Sequence, residues 1–160
     1  MKIEFTPIGI IHTPFKTINN MPIQPTADKE SEGWIEIFDE YSAGLADLNG
    51  FSHIYLIFHL HKTSSYKLSV VPFLDTVERG IFATRSPSRP NPVGLSVVKL
   101  VSVSGNIIKI QGLDILDETP LIDIKPFVPM FEDSKDIRIG WFEGKDKNLP
   151  GKLSDGRFKV

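Results

Sequence analysis

Phe51-Ser-His-Ile-Tyr-Leu-Ile-Phe-His-Leu-His61 is the most apolar stretch of the chain, and its reading decides the fold. Its β-branched and aromatic side chains lose rotamer freedom in a helix and fit a pleated surface, so the stretch predicts a central strand. With a side-chain period of two, Ile54, Leu56, Phe58 and Leu60 share one face, and His53, Tyr55, Ile57, His59 and His61 share the other. The first row is continuous and belongs in a core. The second puts three of the four histidines on the wetter face.

Working outward, Phe5–His12 predicts a first strand ended by Pro14, and Gly33–Phe38 a second. Between them runs a polar stretch, Lys16 to Ser31, broken by Asn19-Asn20, Pro22 and Pro25. A loop of that length inside a compact domain is functional or disordered. Tyr41, Leu45 and Leu48 recur at helical spacing and predict one short amphipathic helix, stopped by Asn49-Gly50. Downstream, strands are expected at Lys67–Leu74, Arg79–Thr84, Leu95–Val103, Ile107–Leu113 and Leu121–Lys125, the last closed by Pro126. Gly105-Asn106 is the signal for a tight hairpin turn. Short strands with frequent turn residues and a single helical pattern argue for an all-β, antiparallel, barrel-like domain with one or two short helices. That domain is expected over residues 1–131. Residues 132–160, interrupted by Gly140, Gly144, Pro150, Gly151 and Gly156, read as an irregular C-terminal extension packed on or beside the barrel through Trp141 and Phe142.

A chain of 160 residues can bury a full core without staples. With no cysteine, disulfides, thiolate nucleophiles and Cys-ligated metals are excluded. No signal peptide and no membrane-length apolar run is evident, so a soluble cytoplasmic protein is expected. The formal net charge of −2 rules out nucleic-acid binding by bulk charge and leaves it to a local patch or a partner chain.

The candidate patch is Arg79-Gly-Ile-Phe-Ala-Thr-Arg-Ser-Pro-Ser-Arg-Pro-Asn-Pro-Val-Gly-Leu-Ser96, which holds three of the five arginines. Ile81–Thr84 reads as a strand end. Pro87, Pro90 and Pro92 then stiffen the backbone and withhold ladder donors. Arginines on such a backbone can grip a carboxylate or phosphate with two bonds at little entropic cost. A solvated, proline-stiffened turn is the alternative, and both readings stay open on these residues alone. His59 and His61 sit at i and i+2, but no motif supplies a third ligand, so no metal is expected. Asp114, Asp117 and Glu118 fall in a connection between strands, where they either satisfy a turn or accept hydrogen bonds from a ligand. Alternation sends Ile122 and Ile124 to one face and Asp123 to the other, where a buried acid would need a partner such as a loop arginine. GxGxxG, Walker-type and GxSxG motifs are all absent.

Phe82-Ala-Thr-Arg-Ser-Pro-Ser-Arg-Pro-Asn-Pro-Val-Gly-Leu-Ser96, followed by Asp114-Ile-Leu-Asp-Glu-Thr-Pro-Leu-Ile-Asp-Ile-Lys-Pro126, resembles the TsaA-like family, the tRNA methyltransferase O group. Ile8–Phe15, Pro22–Pro25 and Gly44–His53 support the resemblance, which covers about residues 5 to 130. It implies a barrel-like homodimer that uses S-adenosylmethionine to methylate N6 of threonylcarbamoyl-adenosine in tRNA. The cofactor's surroundings would then include Gln24, Pro25, His61, Lys62, Arg85, Leu95, Gly112, Leu113 and Asp114. Within that frame Arg85 would meet the methionyl carboxylate, Asp114 the ammonium or ribose, and backbone near Leu113 the adenine. Arg89 and Asn91 would contact the tRNA, and Asp117 or Asp123 would take the proton released by the acceptor nitrogen. Ile23, Lys62, Glu118 and Phe127 depart from the residues usual in the family, and many bacterial members continue into a second domain. Two other functions are therefore weighed: a non-catalytic S-adenosylmethionine-binding module, and a methyltransferase acting on a small molecule.

Overall fold

The computed structural model describes residues 1–19, 21–23, 29–132, 137–145 and 152–155. Eight strands form: β1 (Gly9–His12), β2 (Glu32–Ile37), β3 (His53–His59), β4 (Ser69–Val70), β5 (Arg79–Gly80), β6 (Val93–Ser104), β7 (Ile107–Gln111) and β8 (Thr119–Pro126). Six of them close an antiparallel barrel in the order β1-β2-β7-β6-β3-β8, with β8 pairing back to β1. Closure leaves none of the six barrel strands with a free edge.

The barrel interior comes from alternate residues, as the period of β3 requires. Ile54 and Leu56 are fully buried and Phe58 nearly so, whereas Tyr55 and Ile57 are only half-buried. Ile11, Ile35, Ile37, Ile108, Ile110 and Leu121 complete the packing from the other strands. Across the β3–β6 pair, Ile54 faces Val98, Leu56 faces Ser96 and Phe58 faces Gly94. The inward residues of β6 thus shrink from valine to serine to glycine toward one end. That taper leaves room at the barrel mouth, and the Phe58 ring takes part of it. A Cβ on Gly94 would come within 2.2 Å of that ring.

Several expectations are corrected. Phe5 is exposed, and pairing begins only at Gly9. The helix over Tyr41–Leu48 is two 3-10 helices, Asp39–Leu45 and Leu48–Gly50, split where Asp47 takes a left-handed conformation at φ 64°. The strands expected at Lys67–Leu74 and Arg79–Thr84 shrink to a separate two-stranded pair, β4–β5, outside the barrel, and Ile81–Ala83 is a 3-10 turn. In β8 a register shift against β3 breaks the alternation. Leu121 and Ile124 therefore both face the core, where an unbroken strand would send them to opposite sides. The Gly105-Asn106 hairpin forms as expected, with Gly105 at φ 60°.

Between β3 and β6 the chain leaves the barrel at Leu60 and returns at Pro92, and the Leu60 amide donates to the Pro92 carbonyl at 2.8 Å to close the base of this excursion. A small satellite core of Val70, Ile81 and Phe73 holds the excursion together. Of the C-terminal extension, the described parts meet other loops. Ser154 and Ile23 exchange backbone bonds with Met21 and Lys152, and Trp141 bonds to Ala83.

Candidate functional site

At the tapered end of the barrel lies a cavity of about 820 Å³. Five separate pieces of chain wall it, one of them the loop between β1 and β2. The barrel contributes Phe58, Gly94 and Ser96; the excursion contributes Arg85; the acidic connection contributes Asp114; the extension contributes Trp141. Most of the lining is apolar, with a few charged groups converging on it, which is the usual make-up of a small-molecule site.

Asp114 is the most informative of these groups. Ser96, buried on the inward face of β6, donates its hydroxyl to Asp114 Oδ1 at 2.6 Å. Burial pushes the Asp114 carboxyl up to about 6, against the Ser96 bond and the positive charge of Arg85, which both favour the anion. A desolvated carboxylate with one hydroxyl donor can still accept bonds from a cationic or hydrogen-bonding ligand. Arg85 is exposed, makes no ion pair among the described residues, and shares the cavity. Lys62 stands exposed on the same wall. An acid and a base in one pocket suit a ligand bearing both charges.

The loop carrying Arg85 is set by its own side chains. Thr84 Oγ1 donates to the Ile81 carbonyl at 2.9 Å and accepts from the Ser86 amide at 3.2 Å. Arg89 Nη1 donates to the Thr84 carbonyl at 2.8 Å and lies 3.4 Å from those of Ile81 and Ser86. Arg89, expected at the substrate, is therefore committed to ordering the loop. Arg79 is committed too, to Asp75. Of the three loop arginines Arg85 alone is left for a ligand among the described residues. Asn91 is exposed beside the loop and does not line the cavity.

His61 does not continue the strand row. Its amide reaches back to the His59 carbonyl at 2.8 Å, and the turn carries the ring into the cavity wall, 3.4 Å from Thr119 Oγ1. Burial first, then the charges of Lys62 and His59, lower its pKa, so the imidazole is neutral near pH 7. His53 and His59 stay exposed on the strand.

Leu95 lines the cavity, but other expected residues fall elsewhere. Leu113 is fully buried in the core. Its amide is already engaged, donating to Ser31 Oγ at 2.8 Å, and the Gly112 amide donates to the Ser31 carbonyl at 2.8 Å. Asp117 ties two loops: it binds Lys16 and accepts from the Thr13 amide at 2.9 Å. Burial pushes the Asp117 carboxyl up, but Lys16 and Thr13 outweigh it and hold the group below its ordinary value, as an anion. Asp123 is part-exposed, paired with Lys125 at 2.8 Å rather than with an arginine. Neither acid lines the cavity, so the proton-accepting role expected of them has no support in this geometry. Gln24 and Pro25 lie outside the described residues, although Met21, Pro22 and Ile23 line the cavity.

Sequence reasoning missed Phe58, Gly94 and Ser96 as site residues. Their signal was present, since alternation along β6 places Gly94 and Ser96 on the core face, where small residues leave space. Among the described residues no three His, Asp or Glu side chains converge as a metal site.

Comparison with known proteins bears on the same chain. A protein of Pyrococcus abyssi named as a probable S-adenosyl-L-methionine-binding protein is 50% identical over 99% of this chain and 86% of its own length. The tRNA (adenine(37)-N6)-methyltransferase of Escherichia coli is 36% identical over 86% of this chain, which spans 63% of that enzyme. The crystal structure of TrmO from Pseudomonas aeruginosa superposes with a TM-score of 0.74 at 33% identity, covering 88% of this chain and 63% of that one. Residues 10–133 match the model of the tRNA-methyltransferase O N-terminal domain, and with the barrel and these relatives in agreement the chain belongs to that family.

Proposed function

We propose that the chain binds S-adenosylmethionine in the barrel-mouth cavity and methylates N6 of an adenosine in tRNA, the threonylcarbamoyl-adenosine being the specific acceptor. The observation that carries the reading is the presence of half-buried Asp114 and exposed Arg85 in one mostly apolar cavity. Arg85 would take the ligand's carboxylate in a two-bond grip. Asp114, held by Ser96, would accept from its ammonium or ribose. The apolar wall around Phe58 and Leu95 would exclude water from the rest. When bound, the cofactor supplies a sulfonium methyl group to an in-line displacement, so the chain's main task is alignment of donor and acceptor. Neutral His61 is the cavity group suited to receive the proton that the acceptor nitrogen releases.

A homodimer belongs to this reading, supported by apolar surface at Leu95, Met130 and Phe131, which are 50%, 81% and 82% exposed. A second reading, a binding module without catalysis, is favoured by the name of the Pyrococcus relative. The test is incubation of the chain with isotope-labelled S-adenosylmethionine and tRNA that carries threonylcarbamoyl-adenosine without the methyl group, followed by nucleoside mass spectrometry. Label in threonylcarbamoyl-adenosine is the expected result. Label in another adenosine would sink the specific acceptor but keep the activity, and cofactor binding with unlabelled tRNA would favour the module.

A further inference from the structure

The family match stops at residue 133, yet the cavity wall continues beyond it. Trp141 and Phe142 lie on a 3-10 turn, Gly140–Phe142, and both line the cavity. Their rings stack with centroids 4.0 Å apart. The Arg79 guanidinium lies 5.7 Å and the Lys145 ammonium 5.4 Å from the indole centroid. With a second ring and two cations already against it, the indole is a poor platform for stacking a ligand. Its polar edge has a different task, since Nε1–H donates to the Ala83 carbonyl at 2.8 Å. Ala83 ends the Ile81–Ala83 turn and stands two residues before Arg85.

A charge cluster fastens the same segment to the excursion. Asp75 accepts from Arg79 Nε at 3.0 Å and Nη2 at 2.8 Å, and from Lys145 Nζ at 2.7 Å. The Lys145 bond above all, helped by Arg79 and the Thr76 amide against the cost of burial, holds the Asp75 carboxyl far below the usual carboxylate range. One carboxylate and one indole thus join β5, the turn before it and the C-terminal segment into a unit.

We propose that Trp141 is a positioning residue of the ligand pocket: residues 137–145 hold the Ile81–Arg89 loop, and Arg85 with it, in the conformation that meets the ligand. The ligand's identity rests on the S-adenosylmethionine reading; the ordering of the loop does not.

The test uses the full chain and three variants. Trp141→Phe keeps a stacked ring and removes the donor, Lys145→Met keeps the stem and removes the charge, and Lys145→Arg restores the cation. Amide hydrogen exchange is followed over residues 81–89 without ligand, and S-adenosylmethionine affinity is measured by calorimetry. Loss of one net hydrogen bond predicts loop exchange about five-fold faster in Trp141→Phe, with β3 and β7 unchanged and affinity about three- to ten-fold weaker. Lys145→Met should move both readouts in the same direction, and Lys145→Arg should match wild type. Unchanged loop exchange in both Trp141→Phe and Lys145→Met would overturn the proposal, as would faster exchange with full affinity. A wild-type chain that binds no S-adenosylmethionine would refute the cofactor reading, and the exchange comparison would then decide the positioning role by itself.

Discussion

Asp114 concentrates the chemistry of this chain in one carboxyl, and its burial has a measurable consequence. The unfolded group ionises near 3.8 and the folded one near 6, so between those values the unfolded chain gives up its proton first. Stability contributed by the protonated group is therefore complete below about pH 4 and lost as pH rises through about 6, a change of about 3 kcal/mol. Asp75 and Asp117 run the opposite way, because their depressed values favour the fold above pH 4 and withdraw that support as pH falls. A comparison with Asp114→Asn removes their share. The unfolding free energy of wild type relative to this variant should fall between pH 4 and pH 7 in denaturant titrations without ligand. A flat difference across that range would contradict the assignment. With a cationic ligand the sign reverses, since the anion is then the favoured form: affinity should climb from pH 5 to pH 7 in wild type and stay level in Asp114→Asn.

At the scale of the strand, the site is a product of size order along β6. Val98, Ser96 and Gly94 face Ile54, Leu56 and Phe58, and the cavity opens where the β6 side becomes smallest. Gly94→Ala would drive a Cβ into the buried Phe58 ring, so we expect destabilisation of about 1–3 kcal/mol and a loss of ligand affinity as the ring swings into the cavity. The double variant Gly94→Ala/Phe58→Leu should regain part of that stability; if thermal denaturation shows no recovery, the contact is not what limits the site. The β3 alternation was legible because one uninterrupted apolar row leaves a single way to face a core. β8 was not, because its bulge is a property of pairing with β3 and leaves no mark in Leu-Ile-Asp-Ile. Ile81–Thr84 was misread for a related reason: its apolar residues fill a satellite core with Val70 and Phe73, a demand that strand and 3-10 turn meet equally well. Arg85 and Arg89 are of one residue type on one loop, and only the carbonyls gathered around Arg89 separate the arginine committed to the loop from the one left exposed. Glu118 shows the converse, a departure visible in sequence whose meaning is conformational, since it occupies a left-handed backbone position at φ 58° that glycine adopts freely.

Across the whole molecule, charge limits how tRNA can be held. The chain carries a formal net charge of −2, and near the cavity the exposed cations without an ion pair among the described residues are Lys62 and Arg85. Arg79 and Lys145 share the single carboxylate of Asp75, which leaves that cluster one net positive charge, while Lys16 pairs with Asp117 and Lys125 with Asp123. Each phosphate contact adds about 0.7 to 0.9 to the slope of log affinity against log salt, and with Arg85 taken by the ligand's carboxylate Lys62 alone predicts a slope of about −0.8, or roughly three-fold between 50 and 200 mM. This is shallow for a nucleic-acid enzyme. Lys62→Ala should flatten the slope by about 0.7, and because Lys62 lines the cavity it should weaken cofactor binding as well. Both quantities can be read from KM for tRNA at several salt concentrations and from cofactor titrations. A slope steeper than about −4 would mean that five or more cations engage the phosphates. The barrel mouth would then be the place where the base is methylated, and the grip would extend to cations away from the cavity, such as exposed Lys67, Lys99 and Lys109, or to a second copy.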